Sequence, residues 1–442
     1  MVDVDVKIRQ LNAEGLGESE INERPLLVRN ALPNETVRAR ILKKRKGVRF
    51  ADALSVLEEA YPMRVESNCP AFPRCGGCSL HHLAYPEHLA LKEAQLRQAL
   101  AEFGVASGVW RRPTSAVKLG YRTKARLGVR QVGDQVFVGF RESFSNRVAK
   151  LETCMTLTPE LAGLITPLRE MISRLSMPGK IPQIEMSQGD ATITLILRHL
   201  YELSDSDYSV LREFERIHRL EVVLQAKGYD TLTTLTGATP SRLAYTLKRH
   251  GLDIKFEPHQ FTQVNQGINQ LMIDRAVGYI RPLVKPLLDR GRRLEVVDLF
   301  CGIGNFSLPI ARTGANVVGL EASADAIDMA QENAQANGVA AEFAVADLYA
   351  QNMDPGHLAA ISRADVIVLD PPRSGAGPAL DQWLEAFPGN HVVYVSCNPK
   401  TFAVDATGLQ NAGFALQEVG IFDMFPHTAH IETMGLFERL PS

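Results

Sequence analysis

A cysteine and an acid near the C-terminus have the side-chain types that covalent methylation of a pyrimidine ring requires. Cys397 lies in Ser396-Cys-Asn-Pro399, directly after the apolar stretch Val392–Val395, which predicts a buried strand. Carbon 5 of uracil is a poor nucleophile, so a thiolate must first add at carbon 6. A base must then remove the carbon-5 proton. We predict Cys397 as the nucleophile and Glu432 as the base; a packed thiol and a surface acid are the alternatives.

A second acid follows another predicted strand, in Asp370-Pro-Pro-Arg373. The carboxyl ends of parallel strands are where α/β sheets hold their ligands. Many methyltransferases that act on amino groups carry an aromatic residue after a similar Asp-Pro-Pro. Here Arg373 takes that place, which argues against an exocyclic amine as the methyl acceptor.

A glycine-containing loop predicts the binding site of a nucleotide-like cofactor. Asp298-Leu-Phe-Cys-Gly-Ile-Gly-Asn-Phe306 follows an apolar strand and precedes a segment compatible with a helix. Glu321 ends the next strand, where a carboxylate can accept the two ribose hydroxyls, and Asp347 ends the one after, near the expected adenine edge. Cys301 is predicted to be a small buried side chain. The alternative is a tight turn in an α/β domain that binds nothing.

Four cysteines predict a metal site in the first half of the chain. They are Cys69, Cys75, Cys78 and Cys154, and Gly76 and Gly77 allow a tight loop between them. The spacing alone fits structural zinc and an iron–sulfur cluster equally well, and unrelated buried thiols are a further alternative. Radical methylation is disfavoured because the C-x3-C-x2-C spacing is absent.

The elements that position these residues fall into three predicted domains. Residues 1–60 alternate short strands and turns, which predicts a small β-barrel. Residues 61–260 are mixed, with the cysteine loop near their start and a predicted helix at about 86–106. Residues 261–442 alternate apolar strands with helices, which predicts a parallel sheet covered on both faces.

Composition excludes some classes of function. The chain has 442 residues and a formal net charge of −2, and no apolar run is long enough to span a membrane. The first residues lack the features of a signal peptide, so we expect a cytoplasmic protein. Basic residues concentrate between Arg38 and Arg49, where they can contact phosphates or protect a solvated hairpin edge.

These motifs resemble those of the RNA uracil-5-methyltransferase (RNA M5U methyltransferase) family, along nearly the whole chain. The segments that carry the resemblance are Phe261–Gln266, Asp298–Gly302, Asp370–Arg373, Ser396–Pro399 and Asp423–Glu432. Among its branches, the one that methylates uracil-1939 of 23S ribosomal RNA is the most similar.

The resemblance implies a fold, a cofactor and a set of site residues. It implies an α/β fold: a Rossmann-like methyltransferase domain, an N-terminal OB-fold (TRAM) β-barrel that binds RNA, and a central iron–sulfur-containing α+β domain. It implies Cys397 as nucleophile, Glu432 as base and a [4Fe-4S] cluster on the four cysteines. It implies contacts with S-adenosyl-L-methionine by Gln263, Phe300, Asn305, Glu321, Asp347 and Asp370. The implied partner is 23S ribosomal RNA, and a monomer is expected.

Several alternatives stay open on the sequence alone. Within the same chemistry, the substrate can be transfer RNA or another ribosomal uracil; the related enzymes for those substrates lack the N-terminal barrel. A cytosine-5-methyltransferase carries different cysteine motifs. A non-catalytic iron–sulfur RNA-binding protein has no need of both Cys397 and Glu432. Residue types further suggest base stacking on Phe261 or Phe306 and phosphate contacts from Arg122, Lys124 and Arg126.

Overall fold

The structure is a computed structural model that describes residues 2–58, 60–350 and 352–441. Their contacts form two compact units. Unit 1 comprises Met1–Leu91, Val117–Ser241 and Phe425–Ala429, and unit 2 comprises Lys92–Ala116, Arg242–Met424 and His430–Ser442. The boundary divides helix α1 (Tyr85–Glu102), whose C-terminal part belongs to unit 2. The three domains stay a prediction.

Unit 1 begins with a six-stranded sheet, which agrees with the predicted β-rich start of the chain. Its strands are β1 (Asp3–Lys7), β2 (Gln10–Leu11), β3 (Gly17–Ile21), β4 (Arg24–Arg29), β5 (Thr36–Arg45) and β6 (Val48–Glu58). The order is β1-β5-β6-β4-β3-β2, and only the β4–β6 pair is parallel. Alternate residues such as Val28, Val37 and Ala51 are buried between the strands, as a sheet with one covered face requires.

A second six-stranded sheet completes unit 1, in the order β13-β12-β11-β10-β8-β9. Its strands are β8 (Lys124–Val132), β9 (Gln135–Gly139), β10 (Gln183–Gln188), β11 (Ile193–Arg198), β12 (Glu221–Gln225) and β13 (Leu232–Thr234). Its helices are α2 (Pro159–Gly163), α3 (Ile165–Ser173) and α4 (Asp205–His218). Apolar residues of the sheet and the helices form one core.

Unit 2 contains an eight-stranded sheet in the order β18-β17-β16-β19-β20-β22-β21-β7. The strands are β7 (Ser107–Trp110), β16 (Glu295–Leu299), β17 (Asn316–Glu321), β18 (Glu342–Val345), β19 (Val366–Leu369), β20 (His391–Ser396), β21 (Phe414–Phe422) and β22 (Glu432–Arg439). A separate hairpin is formed by β14 (Leu243–Leu247) and β15 (Leu252–Phe256). The helices besides α1 are α5 (Gln266–Leu288), α6 (Ser307–Ala311), α7 (Ala324–Ala336), α8 (Pro355–Ile361), α9 (Leu380–Ala386) and α10 (Pro399–Asn411).

The connectivity of this sheet determines where a ligand can bind. Strands β18, β17, β16, β19 and β20 are parallel, and β22 is antiparallel to β20. The chain continues from β16 to one side, through β17 and β18, and then crosses to the other side, to β19. Such a reversal leaves a crevice at the carboxyl ends of β16 and β19. The predicted α/β fold with a parallel sheet is therefore confirmed for this part of the chain.

No helix within the described residues is long and apolar enough to cross a membrane.

Candidate active site and cysteine loop

Three of the predicted site residues lie where strands of unit 2 begin or end. Cys397 directly follows β20, Asp370 directly follows β19, and Glu432 is the first residue of β22. Ser396 pairs with Thr433 in the antiparallel ladder of β20 and β22. The next position of that ladder sets Cys397 beside Glu432. The polypeptide backbone thus brings the predicted nucleophile and base to one edge of the sheet.

The Cys397 thiol is held in its protonated form by its surroundings. Burial, together with the carboxylates of Glu432 and Asp370, raises the pKa of the Cys397 thiol to about 11. The exposed guanidinium of Arg373 acts in the opposite direction and lowers this pKa. Cys397 therefore interacts electrostatically with Glu432, Asp370 and Arg373. Thiolate formation at neutral pH therefore depends on how the neighbouring acids are protonated.

The acids at this edge cannot all carry a charge at once. Glu432 is only 4% exposed, and burial raises the pKa of its carboxyl group well above the usual range, with a further contribution from Asp370. Burial and the charge of Asp298 raise the pKa of Asp370 to about 7. Like charges in a low-dielectric site disfavour each other's ionisation. The group therefore retains protons near neutral pH, and its members titrate together.

Asp298 connects the cofactor loop to this group of acids. It is 1% exposed, and burial raises the pKa of its carboxyl group to about 7. The Ser307 hydroxyl donates a hydrogen bond to Oδ2 of Asp298, which fixes the end of β16 against the start of α6. Oδ1 of Asp298 has no hydrogen-bond partner among the described residues. A buried carboxyl oxygen without a partner is costly unless it is protonated or a ligand approaches it.

The glycine loop after β16 folds over the end of β17, where the N–H groups of Phe300 and Cys301 donate to the oxygen of Leu320. Phe300, Gly302 and Gly304 have φ values of 64°, 54° and 89°, so the chain turns sharply through the left-handed region. The backbone N–H of Gly302 donates to Oε2 of Glu321 at 3.3 Å, and that of Ser323 donates to Oε1 at 3.1 Å. Glu321 is half-buried. Its carboxylate is thereby held at the mouth of the loop, where a ribose can be bound.

The other predicted cofactor residues differ in their surroundings. The Phe300 ring lies 5.6 Å from that of Tyr349 and 5.9 Å from that of Trp383. Asp347 is exposed, and its carboxylate accepts a hydrogen bond from the backbone N–H of Tyr349. Gln263 is buried, with 8% exposure. Tyr349 was not predicted from the sequence as a neighbour of the cofactor loop. Its position two residues after Asp347 could have indicated it.

The Asn305 side chain is largely engaged within the protein. It exchanges two amide hydrogen bonds with Asn269 of α5, at 2.9 and 3.0 Å, and its Oδ1 accepts a third from the Tyr245 hydroxyl at 2.8 Å. These bonds leave one amide N–H of Asn305 for a ligand. Sequence reasoning missed Asn269; its polar side chain on an otherwise apolar helix face was the available signal.

The stacking hypothesis needs correction at Phe306, and the phosphate-contact hypothesis stays a prediction. Phe306 is only 3% exposed and belongs to the core, so it cannot stack on a base, whereas Phe261 is 77% exposed. Burial lowers the pKa of Lys124 to about 8. Arg126 forms an ion pair with Glu185 at 3.0 Å. Arg122 Nε donates to the backbone oxygen of Lys124.

The basic run of the N-terminal sheet is partly neutralised. Arg38 and Arg40 each form two hydrogen bonds with an acid of β1, Asp5 and Asp3 respectively. The Lys43 ammonium lies over the rings of Phe50 and Phe144. Within the run, Lys44, Arg45 and Lys46 are exposed at the β5–β6 turn. Fewer residues of this run are therefore available for phosphate contacts than the sequence predicts.

The four cysteines of unit 1 lie on two loops, and Cys69 and Cys154 act electrostatically on Cys75 and Cys78. Burial, with smaller contributions from Cys154 and Cys69, raises the pKa of the Cys75 thiol to about 11. Burial also raises the pKa of Cys78, with contributions from Cys154, Cys75 and Cys69. The backbone N–H of Gly76 donates to the oxygen of Arg141 at 2.9 Å, and a Cβ at Gly76 would lie 2.8 Å from that oxygen. Within the described ranges, no group of three or more His, Cys, Asp or Glu side chains is arranged to hold a metal ion.

The residues after Cys78 are hydrogen-bonded to the segment Phe425–Ala429, also in unit 1. The backbone N–H groups of Ser79 and Leu80 both donate to the oxygen of His427 at 3.0 Å. The N–H of Ala429 donates to the Ser79 hydroxyl at 3.2 Å. The rings of His81 and His427 stack with centroids 4.2 Å apart. The cysteine loop therefore holds a segment that ends three residues before Glu432 in the chain.

Comparison with known proteins identifies the family. Residues 84–440 match the family described as tRNA (Uracil-5-)-methyltransferase. The 23S rRNA (uracil(1939)-C(5))-methyltransferase RlmD of Acidithiobacillus ferrooxidans is 41% identical over 440 residues, which cover 98% of this chain and 97% of that protein. The enzyme of the same name from Hahella chejuensis is 40% identical over 446 residues, covering 99% and 97%.

A solved structure shares the fold along its whole length. It is the Pyrococcus abyssi tRNA (uracil-54, C5)-methyltransferase in complex with S-adenosyl-L-homocysteine. It is 24% identical, has a TM-score of 0.71, and the match covers 98% of this chain and 100% of that one. The resemblance inferred from the motifs is confirmed by these matches. The chain belongs to the tRNA (uracil-5-)-methyltransferase family.

Proposed function

We propose that this protein methylates carbon 5 of uracil 1939 in 23S ribosomal RNA, with S-adenosyl-L-methionine as the methyl donor. The observation that carries the proposal is the ladder of β20 and β22, which ends with Ser396 opposite Thr433, so that Cys397 and Glu432 follow next to each other at the carboxyl end of β20. Relatives about 40% identical over nearly the whole chain bear the name of this activity, which supports the choice of ribosomal RNA.

The chemistry assigned to this edge uses two protein groups. The Cys397 thiolate forms a bond to carbon 6 of uracil, and the electrons of the C5=C6 bond move toward the carbonyl oxygen at carbon 4. S-adenosyl-L-methionine, when bound, supplies an electrophilic methyl group to carbon 5. Glu432 then takes the carbon-5 proton, the C5=C6 bond re-forms, and the bond between sulfur and carbon 6 breaks. Because burial raises the pKa of Glu432, its carboxylate is a stronger base than an exposed one.

The residues around the glycine loop fit the methyl donor. The half-buried Glu321 carboxylate suits two ribose hydroxyls, and Asp347 suits the adenine edge. Phe300 offers an aromatic face, and Asn305 retains one N–H donor. We assign Asp370 and Gln263 to contacts with the methyl donor, at positions that also lie near the target base. The unpartnered Oδ1 of Asp298 supports a cationic ligand nearby, because a positive charge offsets the group of buried acids.

The same proposal includes a [4Fe-4S] cluster on Cys69, Cys75, Cys78 and Cys154. Support comes from the thiols of Cys75 and Cys78, whose pKa values are raised by burial and by the other cysteines of the two loops. A cluster would supply a cross-link between the two loops and remove the cost of burying several protonated thiols. We further assign residues 1–60 to a TRAM barrel that binds RNA, 61–260 to the cluster domain and 261–442 to the methyltransferase domain. A 23S ribosomal RNA substrate places the protein in the cytoplasm.

The test is methylation of protein-free 23S ribosomal RNA with labelled methyl donor, followed by mapping of the labelled nucleotide. We expect label at carbon 5 of one uracil with the intact protein and none with Cys397→Ala. Binding of the methyl donor to Cys397→Ala, measured by calorimetry, controls for folding. Label on transfer RNA instead would retain the chemistry and overturn the substrate. No label on either RNA would overturn the proposal.

A further inference from the structure

A fully buried ion pair lies at the strand end that faces the proposed base. The Lys92 ammonium contacts Oδ1 of Asp423 at 2.6 Å, and both side chains are 0% exposed. Asp423 directly follows β21, whose last residue, Phe422, pairs with Glu432 across the ladder of β21 and β22. Lys92 comes from α1, 331 residues earlier in the chain. All of these residues belong to unit 2.

Stability alone does not account for a pair of this kind. Removing two charges from water costs several kcal/mol per ion, and apolar residues of similar volume are often as stabilising or more so. Burial accordingly lowers the pKa of Lys92, although Asp423 opposes this effect. Loss of only one partner leaves an uncompensated charge in the core. A buried pair is therefore best explained by the geometry that it imposes.

That geometry is reinforced by backbone contacts at the same strand end. The N–H of Asp423 donates to the oxygen of Thr114 at 2.8 Å. The amide of Asn265 donates to the oxygen of Met424 at 3.3 Å. Asn265 also caps α5, only two residues after Gln263. The end of β21 is thus held by α1, by the segment after β7 and by the start of α5.

We propose that Lys92 and Asp423 form a positioning pair for Glu432. The pair fixes the end of β21, β21 fixes the first residue of β22, and that residue is Glu432. The inference rests on the proposed function, since it assigns Glu432 the removal of the carbon-5 proton. Neither Lys92 nor Asp423 has a place in the chemistry itself.

A displaced Glu432 affects one step of the reaction. Bond formation between Cys397 and carbon 6, and transfer of the methyl group, both precede proton removal. When the proton is removed slowly, the C5=C6 bond cannot re-form and the sulfur cannot leave. Methylated RNA then stays attached to Cys397. The attached fraction is therefore a specific readout, because a protein that is merely less stable forms less adduct, not more.

The experiment uses the full-length protein, protein-free 23S ribosomal RNA and labelled methyl donor. For Asp423→Asn we expect a fall in kcat of about 10- to 100-fold, and at least a tenfold rise in RNA bound covalently on denaturing gels. KM for the RNA should change less than about threefold, because no RNA contact is removed. The matched control is Arg111→Met, which removes the ion pair with Glu418 farther along β21. It should leave the attached fraction unchanged.

A second variant separates positioning from folding. In Lys92→Met/Asp423→Leu the charges are replaced by apolar side chains, so we expect a stable fold but continued accumulation of adduct. Full recovery of kcat in this double variant would overturn the proposal, as would an unchanged attached fraction in Asp423→Asn. If the unmodified protein yields no methylated uracil, it is the proposed function that fails.

Discussion

The strand-end site of unit 2 and the cysteine loop of unit 1 are built in opposite ways. Cys397, Asp370 and Glu432 each adjoin a strand, so backbone pairing on both sides fixes their positions. The four cysteines lie outside the strands of unit 1, and Cys75 pairs with Glu142 at a single antiparallel backbone position. A site on strand ends is set by the fold itself. A site on loops needs a cross-link to reach the same precision.

The two regions also differ in the change of protonation that their ligands require. The acids of unit 2 retain protons near neutral pH, so binding of a cation releases them. The thiols Cys75 and Cys78 are protonated for the same reason, since burial raises their pKa, but a metal cluster requires thiolates. Cluster assembly therefore has to expel protons from a buried loop, whereas the acids of unit 2 can bind their ligand with the fold intact.

The largest expected effect tests the strand-end site directly. Glu432→Gln keeps the size of the side chain but removes the base, so kcat should fall by about 10³-fold, within the usual range for a general base. Methylated RNA should remain attached to Cys397 and be visible on denaturing gels. If turnover falls without attached RNA, Glu432 acts before methyl transfer and the assigned role is wrong.

The next prediction tests whether the cysteine loop depends on a cross-link. Cys78→Ser should abolish iron binding, measured by iron content after anaerobic reconstitution. The unfolding free energy should fall by more than about 3 kcal/mol, because metal binding is coupled to folding. Hydrogen exchange should increase in residues 60–84 and 425–429, which hydrogen bonds connect.

Methyl-donor binding provides the matched control for Cys78→Ser. Its dissociation constant should stay within about threefold, because the residues assigned to the methyl donor all belong to unit 2. Loss of donor binding together with loss of iron would contradict the contrast between the two regions.

The parts of the site that the sequence predicted are those with a local signal. Apolar stretches ended at Asp370, Cys397 and Glu321, and each proved to follow or end a parallel strand. The alternation of apolar strands with helices predicts where each strand ends from a stretch of about 30 residues. The cofactor loop was predicted for the same reason, and so was the burial of Cys301.

The parts that were missed depend on contacts between distant segments. No local pattern marks Lys92 as the partner of Asp423, because a lysine on an amphipathic helix normally faces solvent. Strand β7 is short, and its pairing with β21 joins segments about 300 residues apart. The pairs of Arg38 and Arg40 with β1 follow from strand register, which composition does not contain. In each case the missing information was which elements become neighbours.

A smaller effect concerns stability and tests the protonated acids. Asp298 has a folded-state pKa of about 7, above its usual value, so its stabilising contribution is present at low pH and is lost as the pH rises toward 7 and beyond. Asp298→Asn removes this dependence and preserves an acceptor for Ser307. Between pH 5 and pH 8 the unmodified protein should lose about 2 kcal/mol more unfolding free energy than the variant. Parallel curves from urea unfolding would mean that Asp298 is ionised throughout.

The smallest expected effect concerns Arg373, whose charge lowers the pKa of the Cys397 thiol. Because Arg373 is exposed, solvent screens its effect, and Arg373→Met should reduce kcat at pH 7 by only about three- to tenfold. The loss should shrink as the pH rises, since more thiolate then forms without help. Lys400→Met is the matched control: it also removes an exposed cation close in sequence to Cys397, so any weakening of RNA binding is shared. A pH profile that shifts to alkaline values in Arg373→Met alone would assign the effect to the thiol, whereas equal, pH-independent losses in both would assign Arg373 to RNA binding.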